Sequence, residues 1–172
     1  MKKIKWAVIG TGVIANEMAQ ALNSVQKNIY SVANRTHQKG IDFAKKYNIE
    51  KVYDQIDDVF KDPDVDVIYI TTPHNTHIDF MLKAIESKKH ILVEKSITLN
   101  SNQLNLAIKK ARENNVIIAE AMTIYHMPIY KKIIEILKIK LFIIYVKPKK
   151  IRFLLLSLNS NIFLYRYFKI YV

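Results

Sequence analysis

Apolar positions along this chain follow two alternating periods. Residues 4–9 form a short, nearly continuous apolar run, and after Gly10-Thr11-Gly12 the spacing becomes that of a helix face, with Ile14, Met18, Leu22 and Val25 in one stripe. Strand, glycine turn and helix are the elements predicted. The alternation then repeats. Residues 29–34 read as a second strand, and Thr36 is placed to cap a helix carrying Ile41, Ala44 and Tyr47. Residues 51–53 predict a short third strand, followed by an acidic helical turn over 55–60. A fourth strand at 66–71 precedes a helix with Ile78, Met81, Leu82 and Ile85 on one side. A fifth covers 90–94, Asn100 or Ser101 opens a helix with Leu104, Ile108 and Ala111 inward, and a sixth covers 116–120.

Strands separated by helices need crossover connections, and crossovers make neighbouring strands parallel. The fold class expected over residues 1–126 is therefore α/β, a doubly wound parallel sheet of the Rossmann type, which binds dinucleotides. From Pro128 the pattern changes. Ile129, Ile133, Ile136 and Leu137 predict one linking helix over 127–137, with Pro128 tolerated in its first turn. Residues 138–172 contain no Gly, Ala, Asp or Glu. Runs at 141–146 and 153–158 look strand-like, yet residues able to turn between them are sparse, so an irregular basic and hydrophobic tail is expected there.

Composition alters this picture in three places. The 172 residues suffice for one cored domain but not two large ones. The net charge of +12 suggests nucleic acid only until its distribution is examined: residues 136–172 hold eight Lys or Arg and no acid, leaving the rest near balance. No nucleic-acid partner is expected. The absence of cysteine excludes disulfides and thiolate metal sites, and makes a reducing cytoplasm the expected compartment. No apolar stretch reaches the length of a membrane span, so no membrane partner is expected either. The early lysines and apolar run imitate a secretion signal, but the run ends in the glycine turn and reads as the first strand.

Ligands of a doubly wound sheet sit outside the carboxyl ends of its strands. At the first of these, Gly10 allows a tight turn and Gly12 allows close approach of a pyrophosphate to the helix that starts near Val13 and Ile14, whose free N–H groups favour an anion. A glycine turn serving packing alone is the plain alternative. The second strand ends in Asn34-Arg35, without the carboxylate that usually holds the ribose hydroxyls of NAD, and Arg35 can pair a 2′-phosphate. NADP is favoured over NAD as the cofactor, against the alternative of a solvated loop arginine. The fourth strand ends in Thr71-Thr72-Pro73-His74-Asn75-Thr76-His77, whose hydroxyls, amide and imidazoles suit a ribose and nicotinamide. Asn75 serves equally as a helix cap and His77 as a first-turn residue. His74 and His77 lack a third ligand at suitable spacing, so no metal is expected. The fifth strand ends in Glu94-Lys95-Ser96, where a lysine can bind a substrate hydroxyl or shift a proton, although most lysines only solvate a surface.

Taken together, Gly10-Thr11-Gly12-Val13-Ile14-Ala15, Ala33-Asn34-Arg35, Thr72-Pro73-His74-Asn75-Thr76-His77, Glu94-Lys95 and Glu120-Ala121-Met122 resemble the glucose-fructose oxidoreductase, inositol dehydrogenase and MocA group of NAD(P)-dependent oxidoreductases. The resemblance covers residues 3 to about 137, the family's cofactor domain and the helix leading out of it. It implies hydride exchange with a sugar, polyol or related cyclic alcohol. Lys95 matches the lysine of the family's Glu-Lys-Pro motif, which takes part in substrate binding and proton transfer. Ser96 stands where the family has proline, whose preceding bond is commonly cis. Without proline the Lys95-Ser96 bond is expected trans, with the lysine displaced. The family continues into an α+β substrate domain that supplies an Asp, a His and the oligomer contacts. Here no Asp follows Asp79 and no His follows His126, so that domain is expected to be largely absent and the chain a frameshifted or prematurely ended product. The alternative reading is a non-catalytic NADP(H)-binding remnant.

Overall fold

A strand buried on both faces cannot alternate apolar with polar residues, and its successive side chains must serve two cores. The first strand shows this: Ala7 and Ile9 belong to one core and Val8, between them, to another. The computed structural model describes residues 3–146 and 170–171. The elements are β1 (Trp6–Ile9), α1 (Val13–Ser24), β2 (Ser31–Ala33), α2 (His37–Tyr47), β3 (Lys51–Val52), α3 (Asp58–Lys61) and β4 (Val67–Ile70). They continue as α4 (His77–Glu86), β5 (His90–Val93), α5 (Ser101–Asn114), β6 (Ile118–Glu120), α6 (Pro128–Val146) and the two-residue β7 (Ile170–Tyr171). Short 3-10 turns occupy His74–Thr76 and Thr123–His126.

The sheet has the order β3-β2-β1-β4-β5-β6-β7, and the pairings that join the first six strands are all parallel. The chain winds outward from β1 to β3, returns, and winds the other way from β4 to β6. The order therefore reverses between β1 and β4. Val8, Val32 and Tyr69 pack with Ala15 and Ala19 of α1 and Phe43 and Ala44 of α2 on one face. On the other, Ile9, Ile70 and Val93 meet Val59 of α3, Met81 of α4 and Ala107 of α5. This is the doubly wound α/β architecture expected from the alternation of periods.

Local details depart from the sequence reading in ways that packing explains. The inward residues of α1 are Ala15 and Ala19, with Met18 and Leu22 beside them, whereas Ile14 is 39% and Val25 60% exposed. Small side chains let α1 lie close to the sheet, which rotates the predicted stripe. Thr36 occupies the N-cap of α2 but makes no side-chain cap. Its own N–H is instead received by Asn34 Oδ1 at 2.8 Å. At α5 the expected cap is present, Asn100 Oδ1 accepting the N–H of Gln103 at 3.0 Å. Helices α2 and α5 each end on an asparagine in the left-handed region, Asn48 at φ 53° and Asn115 at φ 55°, a conformation asparagine tolerates better than most residues.

Among buried polar groups, Asp62 accepts from Lys51 Nζ at 2.8 Å, Tyr53 OH at 2.6 Å and the N–H of Asp64 at 2.8 Å. Burial pushes its carboxyl pKa up, but these donors outweigh burial and hold it down at about 2. Burial and the same bond to Asp62 raise the Tyr53 hydroxyl above its ordinary range.

The described residues divide into two compact units, 3–121 with Tyr171 in the first and 122–146 with Ile170 in the second. The second holds the 3-10 turn Thr123–His126 and α6, with the rings of Tyr125 and Tyr130 edge-on at 5.3 Å. Pro128 begins α6, as predicted, but the helix continues to Val146. The strand-like reading of 141–146 is thereby corrected: helical propagation from 128 overrides the β preference of its Ile, Phe and Tyr. The run at 153–158 lies outside the described residues. Among the described residues, no helix is long and apolar enough to cross a membrane.

Candidate dinucleotide site at the switch point

The reversal of strand order leaves a crevice outside the carboxyl ends of β1 and β4, and the glycine turn forms its floor. Gly10 has φ +101°, a conformation side chains rarely adopt, and a Cβ there would lie 2.7 Å from Thr71 Oγ1. Its N–H donates to Ala33 O at 2.9 Å, tying the turn to β2. Gly12 differs. Beyond its own chain neighbours, no atom lies within 4 Å of the position its Cβ would take, so a side chain would stand in open space. Gly12 is also the N-cap of α1, without a side-chain cap and with no acid in the first turn. The N–H groups and positive dipole end of α1 thus remain available to an anion.

A cavity of about 460 Å³ opens above this turn. Gly10, Thr11 and Gly12 line one part of it, Asn34 and Arg35 another, and Thr71, Thr72, Pro73 and Asn75 a third. Val13, Ile14, His74, His77, Glu94 and Lys95, also singled out in the sequence, are not among its lining residues. Asn34 is already engaged inside the protein. Its Nδ2 donates to Thr11 Oγ1 at 2.6 Å while its Oδ1 holds the Thr36 N–H, so it shapes the loop that presents Arg35. Thr76, part of the motif read after the fourth strand, lines the cavity as well, whereas Lys39, Ile56 and Phe80 line it and were missed by the sequence reading. Lys39 lies one helical turn beyond Arg35, a spacing that could have found it; nothing local marks Ile56 or Phe80, which arrive from other elements. A second cavity of about 440 Å³ shares Asn34, Arg35, Ile56 and Phe80 and adds Asp54, Asp57 and Asp58. Each of those carboxylates has a partner, Asp57 with Lys83 at 2.6 Å, Asp58 with Lys61 at 2.9 Å and Asp54 with His37 Nε2 at 3.4 Å.

Beside the cavity, the turn after β5 carries Lys95, which is exposed. The Lys95–Ser96 bond is cis, which overturns the expectation of a trans bond. The carbonyls on both sides are engaged: His74 Nε2 lies 2.7 Å from Lys95 O, and His77 Nδ1 3.0 Å from Ser96 O. His77 begins α4 and is fully buried. Asn75 lies within a 3-10 turn whose caps make no side-chain bond, so it does not act as the helix cap. The Glu94 carboxylate is buried and accepts from Tyr69 OH, and burial followed by this bond raises the Tyr69 hydroxyl well above its ordinary range.

A parallel sheet that reverses order above a glycine turn, with an uncapped helix end and a polar cavity at the reversal, defines a dinucleotide-binding domain of the Rossmann class. Comparison with known proteins then gives the family. The chain belongs to the Gfo/Idh/MocA oxidoreductase family with an NAD-binding Rossmann fold, whose family model matches residues 4–122. It is 36% identical over 139 residues to the trans-1,2-dihydrobenzene-1,2-diol dehydrogenase of Xenopus laevis, covering 79% of this chain and 42% of that protein. The mouse enzyme of the same name is 31% identical over 137 residues, covering 78% of this chain and 41% of its own length. The chain thus spans less than half the length of these relatives. Among solved structures, an NAD binding oxidoreductase from Klebsiella pneumoniae matches with a TM-score of 0.68 and 26% identity, over 73% of this chain and 36% of that one. The 3-ketoreductase KijD10 of Actinomadura kijaniata, in complex with TDP-benzene and NADP, shares the fold at a TM-score of 0.74 and 24% identity, over 80% of this chain and 44% of its own.

Proposed function

We propose that the first unit of this chain holds NAD(P)(H) across the carboxyl ends of β1, β2 and β4. The protein it represents is an oxidoreductase acting on a sugar, polyol or related cyclic alcohol. The observation that carries this is the open space at Gly12 beside a polar cavity of about 460 Å³. A turn kept glycine only for packing would meet neighbouring atoms there, as Gly10 does. The N–H groups at the head of α1 bind the pyrophosphate. Thr71, Thr72 and Asn75 offer hydroxyl and amide groups to the ribose and nicotinamide. Once bound, the nicotinamide supplies the hydride chemistry. Lys95 binds the substrate hydroxyl and exchanges a proton with it at Nζ.

NADP is the favoured cofactor. Arg35 and Lys39 both line the cavity, and residues 34–36 directly after β2 include no carboxylate to repel a 2′-phosphate. A cytoplasmic setting accompanies this reading, from the absence of cysteine. The test is titration of the full chain with NADPH and with NADH, followed by nicotinamide fluorescence. Arg35→Ala is expected to weaken NADPH binding by about tenfold or more while changing NADH little, the worth of a charge-assisted hydrogen bond. Equal loss for both would remove the assignment of Arg35, and no binding of either would remove the whole reading.

A second reading rests on the lining of the cavity, which includes Lys39 but neither Lys95 nor any acid or histidine able to move a proton. In it, this chain binds NADP(H) without turnover. A panel of polyols and sugars with either cofactor separates the two, since the second reading requires that no rate appear with protein shown to bind the dinucleotide.

A further inference from the structure

Four consecutive residues after β5 are each tied down by a different side chain. The carboxylate of Glu94 takes the hydroxyl of Tyr69. The carbonyl of Lys95 faces His74 Nε2 at 2.7 Å, the carbonyl of Ser96 faces His77 Nδ1 at 3.0 Å, and the N–H of Ile97 donates to Glu120 Oε1 at 3.1 Å. The second nitrogen of His77 lies 2.9 Å from the carbonyl of Thr72, so this fully buried ring sits between the loop after β4 and the turn after β5, and its tautomer sets which of the two carbonyls accepts its N–H. A polar ring placed at zero exposure costs stability unless its bonds repay it, and an apolar residue would fill the same space more cheaply. Its place is better explained by what it holds. The loop that carries both histidines is the one whose Thr72, Pro73, Asn75 and Thr76 wall the cavity. One short loop therefore faces the cavity with some residues and grips the Lys95 turn with others.

We propose that His74 and His77 are positioning residues for Lys95. By fixing the carbonyls of Lys95 and Ser96 to the loop that walls the cavity, they set where the lysine backbone stands relative to a bound dinucleotide. The inference rests on the reading of Lys95 as the proton-exchanging group, and it concerns two residues that are not among those lining the cavity. Free loops of this kind sample many conformations, and a reacting amine displaced by about 1 Å loses much of its effect.

The test uses the full chain without cofactor, by hydrogen exchange of peptides covering residues 94–98 and by the rate at which Lys95 is acylated, read by mass spectrometry with Lys83 and Lys89 as internal references. His74 is exposed, so His74→Leu removes its donor without threatening the core, and His74→Gln keeps a donor for the carbonyl of Lys95. Loss of one such bond is expected to speed exchange in this turn by about fivefold. The acylation rate of Lys95 should change with it, the reference lysines should hold, and His74→Gln should return both values towards the unmodified protein. His77→Asn, folded by circular dichroism, should act in the same direction; if it unfolds, the His74 pair decides. Exchange and Lys95 acylation unchanged in His74→Leu would overturn the proposal, as would failure of His74→Gln to restore them. NADPH fluorescence is measured separately on the same proteins. Absence of binding there counts against the cofactor reading alone, because the positioning readouts need no dinucleotide.

Discussion

Gly10 and Gly12 stand two positions apart and are glycine for opposite reasons. At Gly10 the backbone angle and the 2.7 Å approach to Thr71 Oγ1 both exclude a side chain. Gly10→Ala should therefore cost roughly 2–4 kcal/mol of stability, seen as a fall in the urea midpoint. At Gly12 the space is empty, so Gly12→Val should leave the midpoint within about 1 kcal/mol while abolishing NADPH binding by fluorescence. The motif spacing announced both glycines, but only their surroundings separate the two causes. Asp62 allows a prediction of sign. Its folded pKa, about 2, lies below that of an unfolded aspartate, near ~3.9. The group therefore adds stability that is fully present above roughly pH 4 and is lost as pH falls through its folded value. The difference in unfolding free energy between the unmodified chain and Asp62→Asn should be on the order of 2 kcal/mol at pH 7 and shrink by pH 2 to 3. A difference that stayed constant with pH would show that packing, not charge, is what the carboxylate contributes. Nothing local in the sequence marked Asp62, because Lys51 and Tyr53 reach it from another element.

Helix and strand identities were legible wherever an element's own period agreed with its burial. All six sequence-predicted strands of the first unit and the helices between them occur, shifted by up to three residues at their ends. The misreadings share a cause. The stripe assigned to α1 chose its largest apolar residues, whereas close packing on the sheet selected Ala15 and Ala19. The strand-like reading of 141–146 weighed local β preference against a helix already running from Pro128, and the helix prevailed. Capping shows the same division. Asn100 caps through its own side chain, so Asn100→Ala should lower stability by about 1 kcal/mol, measured by thermal or urea unfolding. Thr36 makes no such bond, and Thr36→Ala should cost less than half as much by the same measurement.

For the molecule as a whole, alternating periods already determined the architecture. Strands joined through helices can only be parallel, and a right-handed crossover leaves few strand orders to choose from. The glycine turn at the first strand end and the polar motifs at later ones then located a site, since every carboxyl end of a parallel sheet opens on the same side. The sequence by itself therefore determined the fold class and the neighbourhood of the cavity, because both depend on periods and spacings read along the chain, while the family followed from the likeness of its motifs to known proteins. Only the tertiary structure decided which named residues wall the cavity. It tied the Asn34 amide to Thr11 and Thr36 at the cavity wall, brought Lys39, Ile56 and Phe80 into that wall, and set His74 and His77 against the turn that bears Lys95. These contacts join residues of different elements, and a contact between elements is set by the angles at which helices and loops pack on the sheet. No single stretch of sequence encodes those angles.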